Sequence, residues 1–197
     1  MEPAELGSKY DKIAQWWHNR HASSNYGINQ VQQAISYGQH GGQALDVGCG
    51  AGGRFVRLLQ SSGYAVTGLD VSQEMIRLAG IHHPQHTFLH QDICTWQSKQ
   101  QFDFILAWDS IFHLPLAMQT PVVTNLCQRL APQGVLIYTL GDAVGEHTDQ
   151  WQYDTFYYSS VGINQNLRIL MENGLTVKHL ELDQYPQNHV YIIATKD

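Results

Sequence analysis

The 197-residue chain is poor in cysteine, proline and basic residues and has no long apolar run, and each shortage removes a class of protein. Its three cysteines, Cys49, Cys94 and Cys127, are odd in number and scattered, which argues against a disulfide framework and for a reducing compartment. No stretch approaches the roughly 20 apolar residues of a membrane span, so no membrane partner is expected. The first residues, MEPAELGSKYDK, are polar and charged and carry no apolar core of a leader peptide, so a cytoplasmic protein is expected. Lys and Arg total 11 against 17 Asp and Glu, and no basic run appears, which argues against a nucleic-acid footprint and for a small-molecule partner. Repeats and low-complexity segments are absent.

What is present is a 43% hydrophobic composition, enough to bury a full core in one domain spanning 1–197. Strand and helix patterns alternate after residue 43, as in a doubly wound α/β domain with helices on both faces of the sheet. Helical stripes fall at Phe55 to Gln60, Gln73 to Ala79, Val122 to Leu130 and Ile163 to Met171, the last stopped at Asn173 and Gly174. Before the first strand, Tyr10, Ile13, Ala14 and Trp17 share one helical face and Ile28, Val31 and Ile35 another, which predicts a cap of two short helices over residues 1–42.

The most informative run is ALDVGCGAGG, Ala44 to Gly53: a buried strand that ends at an acid and opens into a glycine-rich turn ahead of a helix. Such a turn lets a ligand touch the main chain, and the free N–H groups of the helix favour polar or anionic groups. Taken alone, Gly48, Gly50 and Gly53 equally spell a dinucleotide fingerprint. A second strand, YAVTGLD, ends about 20 residues later at Asp70, where a carboxylate would hold a ribose diol. The other reading of Asp70 is a surface acid beside the helix that Ser72 caps.

With these two segments the chain resembles the class I S-adenosylmethionine (SAM)-dependent methyltransferases, and the resemblance runs in order along most of the sequence. It implies a seven-stranded sheet in the order 3-2-1-4-5-7-6, with the last strand antiparallel, and SAM as cofactor, leaving S-adenosylhomocysteine as product. It further implies that Asp46 lies near the methionine end, that Gly48, Cys49 and Gly50 run beside methionine and ribose, and that Asp70 with Val71 holds the ribose. In the same way Asp92 and Ile93 match an adenine-edge segment. FDFILAWDSIFHLP, Phe102 to Pro115, matches the strand whose end carries Trp108, Asp109, Ser110 and His113 towards the methyl-transfer point, with Trp108 and Asp109 implied as cofactor-binding residues. The cap would close over SAM and bring Tyr10, Trp17, Arg20 or Tyr26 to the methionine or the substrate, with Arg20 the preferred carboxylate partner.

Asp46 favours SAM over a nicotinamide dinucleotide, because an acid in the turn suits an ammonium and a sulfonium but repels a pyrophosphate. The terminal runs Leu175 to Leu182 and His189 to Ala194, joined by a short turn, read as a hairpin that supplies an antiparallel last strand. His113 is the candidate general base, with orientation of its own loop as the other reading. The polar, aromatic segment Gly141 to Ser160 is long for a connection, and its Trp151, Tyr153, Phe156, Tyr157 and Tyr158 are expected to wall an acceptor pocket, with Glu146, His147 and Asp149 at the rim. The histidines of HHPQHTFLH are read as an exposed loop and not a metal site, since Pro84 prevents helical alignment. The expected function is methyl transfer from SAM to an oxygen, nitrogen or carbon of a small molecule. A non-catalytic SAM-binding protein and a nicotinamide oxidoreductase are the alternatives.

Overall fold

The computed structural model describes residues 1–184 and 186–197. After helices α1 (Pro3–His21) and α2 (Ile28–Ile35) the chain runs β1 (Gly42–Val47), α3 (Gly53–Ser61), β2 (Tyr64–Asp70), α4 (Gln73–His82), β3 (Thr87–His90) and β4 (Phe102–Ala107). It continues through a single 3-10 turn (Ile111–His113), α5 (Leu116–Arg129), β5 (Leu130–Gly141), β6 (Val144–Trp151), β7 (Asp154–Val161), α6 (Gly162–Glu172), β8 (Leu175–Leu182) and β9 (His189–Lys196).

Seven strands form one sheet in the order β3-β2-β1-β4-β5-β9-β8, and β9 pairs antiparallel with both β5 and β8. This is the order the resemblance implies, with the last two strands renumbered because β6 and β7 form a sheet of their own. The period-two alternation of the buried strands sorts the core into two layers. Leu45, Ile105, Leu136 and Ile192 face α5 and α6, while Ala44, Phe104, Ile137 and Ile193 face α2 and α3.

Three expectations change. Residues 141–160 are not an irregular connection: β6 and β7 pair from Val144↔Val161 to Trp151↔Asp154 around a turn at Gln152 and Tyr153, both at positive φ (49° and 65°). α1 has 19 residues rather than being short. The histidine run is only partly an exposed loop, for His83 is buried and the ring Nδ1 of His86 accepts from the backbone N–H of Val66 at 3.3 Å.

The long α1 reaches the sheet because Gly7 lies against the turn after β2. A Cβ on Gly7 would stand 2.2 Å from the carbonyl oxygen of Val71. From the same helix, Asp11 Oδ1 accepts from the Ser72 hydroxyl at 2.6 Å and from the Glu74 N–H at 3.0 Å. Ser72 in turn accepts from the Met75 N–H, so an α1 carboxylate joins the N-terminal cap of α4. These contacts lay α1 across the carboxyl ends of β1 and β2, where open α/β sheets bind ligands.

Candidate active site

The turn after β1 is pinned to its neighbour strand. Gly48 and Cys49 both donate N–H groups to the Leu69 carbonyl, at 2.8 and 3.0 Å, and the N–H of Gly50 donates to Asp70 Oδ2 at 2.8 Å. Asp70 Oδ1 takes the N–H of Ser72 at 2.8 Å. One carboxylate therefore ties the glycine turn to the start of α4 while each oxygen keeps a second lone pair for a ligand. At Gly48, with φ 72°, a Cβ would sit 2.3 Å from that of Ser110, so only glycine lets β1 and the end of β4 close on each other.

These ends enclose a cavity of about 160 Å³ beneath α1. Asp46, Gly48, Cys49, Gly50, Asp70, Val71, Ile93, Trp108, Asp109 and His113 all line it. Arg20 and Asp92 do not. Arg20 is exposed on the outer face of α1, so the preferred carboxylate partner lies outside the cavity. Asp92 Oδ1 turns back to cap its own loop at the Cys94 N–H, 2.8 Å away, leaving Gln91 and Ile93 to face the cavity. The aromatic residues expected to wall an acceptor pocket are absent from this lining. Trp151 and Phe156 instead pack edge-on against Trp17 and Tyr10 of α1, at 5.7 and 5.3 Å between ring centroids, and Tyr153 is fully exposed at the turn.

Tyr10, Trp17 and Tyr26 line the cavity from the cap side, and so does Arg54, a cation that sequence reasoning missed. The Arg54 guanidinium donates through Nε to the Tyr26 carbonyl at 2.6 Å and lies 4.3 Å above the Phe55 ring. Its position on the first turn of α3, directly after the glycines, was the available signal.

The electrostatics of the cavity are dominated by two acids, Asp46 buried and Asp70 half-buried. Burial, with the charge of Asp70 nearby, raises Asp46 to about 7. Burial also raises Asp70, to about 6, against the lowering effect of its two backbone hydrogen bonds. Asp46 makes no side-chain hydrogen bond among the described residues and is 3% exposed. The indole Nε1 of Trp108 and the hydroxyl of Ser110 are likewise buried without partners at the cavity wall. An unpaired buried acid and orphaned donors are costly unless a ligand completes them.

His113 is differently placed. Its Nδ1 faces the Tyr157 carbonyl at 2.8 Å and can only donate there, so the neutral ring presents a bare Nε2, which accepts from the Tyr10 hydroxyl at 3.2 Å. Burial lowers it to about 4. Among the described residues no group of three or more His, Cys, Asp or Glu side chains is arranged to hold a metal ion.

A bare main-chain turn, an acid at the end of β2, a buried acid near the end of β1 and orphaned donors after β4 fit an adenosyl ligand carrying positive charge. Comparison with known proteins agrees. The chain is 26% identical over 182 residues to ubiquinone biosynthesis O-methyltransferase of Coxiella burnetii, covering 86% of this chain and 72% of that protein. It is 33% identical over 152 residues to trans-aconitate 2-methyltransferase of Escherichia coli, covering 72% and 60%. In fold it is similar to 1,6-didemethyltoxoflavin-N1-methyltransferase of Burkholderia thailandensis, solved with S-adenosylhomocysteine, with a TM-score of 0.75, 16% identity, and coverage of 100% of this chain and 91% of that one. The methyltransferase domain family matches residues 16–180, and the chain belongs to that family.

Proposed function

We propose that this SAM-dependent methyltransferase carries the methyl group to an oxygen, nitrogen or carbon of a small acceptor bound over the end of β4, with oxygen the first choice. The observation that carries this reading is the pairing of Asp46 and Asp70 around a glycine turn. Asp46, buried and unpaired, and Asp70, partly exposed to the cavity, are both held well above their ordinary range, and a cationic ligand would relieve both. The O-methyltransferase name of the Coxiella relative supports oxygen.

When bound, SAM supplies an activated methyl on a sulfonium, so the protein's task is alignment, worth up to roughly 7–11 kcal/mol of the barrier when the reacting atoms are held in near-attack geometry. In this reading Asp70 takes the ribose hydroxyls on its free lone pairs, and Asp46 faces the ammonium and sulfonium end. The main chain of Gly48 to Gly50 runs along the methionine, and Gln91 and Ile93 border the adenine. Arg54 replaces Arg20 as the partner of the methionine carboxylate. Trp108, Asp109 and Ser110 face the acceptor. His113 holds the cap to β7 rather than acting as a base, because its free nitrogen is occupied by Tyr10 and its basicity is low.

Calorimetric titration with SAM, S-adenosylhomocysteine and NAD tests the cofactor. Tritiated methyl transfer to a panel of phenols, catechols, carboxylic acids and primary amines tests the reaction. Binding of NAD in place of SAM overturns the reading. SAM binding with no labelled panel product counts against methyl transfer to these acceptors and favours a SAM-binding protein without turnover.

A further inference from the structure

Beside the cavity, at the point where β4, β9 and the β8–β9 turn meet, His189 lies between two carboxylates. Its Nε2 is 2.9 Å from Asp109 Oδ1, and its Nδ1 is hydrogen-bonded to Asp183 Oδ1. The His189 and Asp183 side chains are 12% and 6% exposed, so this is not a solvated surface pair. A carboxylate oxygen accepts, so both ring nitrogens must donate, and only the imidazolium can do that. Burial alone would lower the basicity of this ring, but the hydrogen bonds of Asp109 and Asp183 outweigh it and raise His189 above its ordinary value.

The other end of the relay is Asp109. It directly follows Trp108, lines the cavity, and has φ 51°, in the left-handed region that few non-glycine residues enter, though aspartate does so more often than most. Two contacts hold it there: its N–H donates to the Thr139 hydroxyl at 2.8 Å, and its carboxylate is held by His189. Asp183, beyond the ring, is more deeply buried than Asp109 and makes no approach to the cavity lining. Among the described residues, the charged and titratable groups around the ring are Asp109 from the segment after β4, Asp183 between β8 and β9, the Tyr26 hydroxyl at 3.4 Å, and Arg54 of α3, whose charge is felt at Asp109.

We propose that His189 is a positioning residue: held by Asp183, it fixes the Asp109 carboxylate at the cavity wall as the hydrogen-bond acceptor for a hydroxyl or amino group of the methyl acceptor. This rests on the methyltransferase reading and goes beyond it by naming what orients Asp109 and the acceptor chemistry that Asp109 selects, a donor-bearing group rather than a bare carboxylate. His189 touches neither cofactor nor acceptor; it acts through Asp109.

The test uses the full-length protein loaded with S-adenosylhomocysteine, and follows the ring nitrogens of His189 and the carboxyl carbon of Asp109 by NMR across pH 5 to 10. The expected result is a ring doubly protonated at pH 7, an Asp109 signal that shifts as His189 loses its proton, and a His189 titration moved to lower pH in Asp183→Asn. In His189→Gln the Asp109 signal should no longer move over that range, while S-adenosylhomocysteine affinity stays within about twofold of wild type. With a panel acceptor that is methylated, wild-type kcat/KM should fall as pH rises through the His189 titration, and that limb should vanish in His189→Gln. A ring carrying a single proton at pH 7, or a titration that Asp183→Asn leaves in place, overturns the proposal. If no panel compound is methylated, the acceptor reading fails separately, and the NMR arm still decides the role of His189.

Discussion

The hydroxyl of Tyr10 donates to Nε2 of His113 across 3.2 Å, joining the cap helix to the turn after β4. His113 reaches on through Nδ1 to the Tyr157 carbonyl of β7, so one imidazole links α1, the end of β4 and the β6–β7 hairpin. Around it Lys9 pairs with Asp154 at 2.6 Å, and Trp17 meets Trp151. The hairpin thus braces the cap helix that roofs the cavity.

The role of His113 is decided by comparing two variants. Tyr10→Phe removes the hydrogen bond but leaves the nitrogen bare, so a catalytic base would keep its activity there and lose it in His113→Ala. A tie between cap and hairpin predicts losses of about 1–3 kcal/mol of stability in His113→Ala and about 1 kcal/mol in Tyr10→Phe, with turnover falling in parallel in both. Thermal unfolding with turnover measured on the same samples separates the two.

The same residue gives a pH prediction whose sign follows from its lowered basicity. A histidine near 4 in the fold and near 6.5 unfolded contributes stability that is present above about pH 6.5 and is lost as pH falls towards 4. Asp46 and Asp70 act oppositely. Raised to about 7 and 6, they bind more protons folded than unfolded, so their contribution weakens as pH rises from 4 to 7. The two acids together outweigh His113, so the net contribution of these three groups should favour the fold as pH falls from 7 to 4. His113→Asn should steepen that rise in stability as pH falls from 7, and Asp46→Asn should flatten it, leaving Asp70 and His113 nearly in balance. Chemical unfolding of the ligand-free protein at half-unit pH steps measures both slopes.

Asp46→Asn also predicts a trade. Without ligand, removing a buried acid of raised pKa should stabilise the fold at pH 7.5 by about 1–3 kcal/mol. SAM, whose sulfonium is charged, should bind more weakly to this variant, and the loss should be larger for SAM than for S-adenosylhomocysteine, whose sulfur is neutral. Equal losses for the two ligands would place Asp46 away from the sulfonium.

Much of this site was legible because its chemistry lies where regular elements end. Asp46 and Asp70 lie at the carboxyl ends of strands whose apolar pattern is plain, and Gly48, Gly50, Gly52 and Gly53 between them take positive φ, so composition and position carry the same message. Other parts had no local signal. A tight hairpin usually announces itself by Asn-Gly at the positions of positive φ, and Gln152 and Tyr153 occupy them here, so the β6–β7 pair read as an irregular connection. Arg20 and Arg54 are both one turn from a cavity in sequence terms. Only the rotation of α1 about its axis, set where Gly7 meets Val71, sends Arg20 outward. The Asp109–His189 contact spans 80 residues, and neither neighbouring sequence implies it.

Gly7 provides the last prediction, because it is where the cap's position is fixed. A Cβ there would stand 2.2 Å from the Val71 oxygen and 2.8 Å from its carbonyl carbon, and both are backbone atoms flanked by Asp70 and Ser72, so neither can swing aside as a side chain would. Gly7→Ala must therefore move α1 bodily, even though alanine is the better helix former by about 1 kcal/mol. Displacing α1 withdraws Asp11 from Ser72 and Glu74 and takes Tyr10 and Trp17 from the cavity roof. The expected result is weaker SAM and S-adenosylhomocysteine binding by about tenfold or more, with faster amide hydrogen exchange in residues 3–21 and little change in β1, β4 and β5. A Gly7→Ala protein that binds both ligands as the wild type does, with α1 equally protected, would mean that the cap is not seated by this contact.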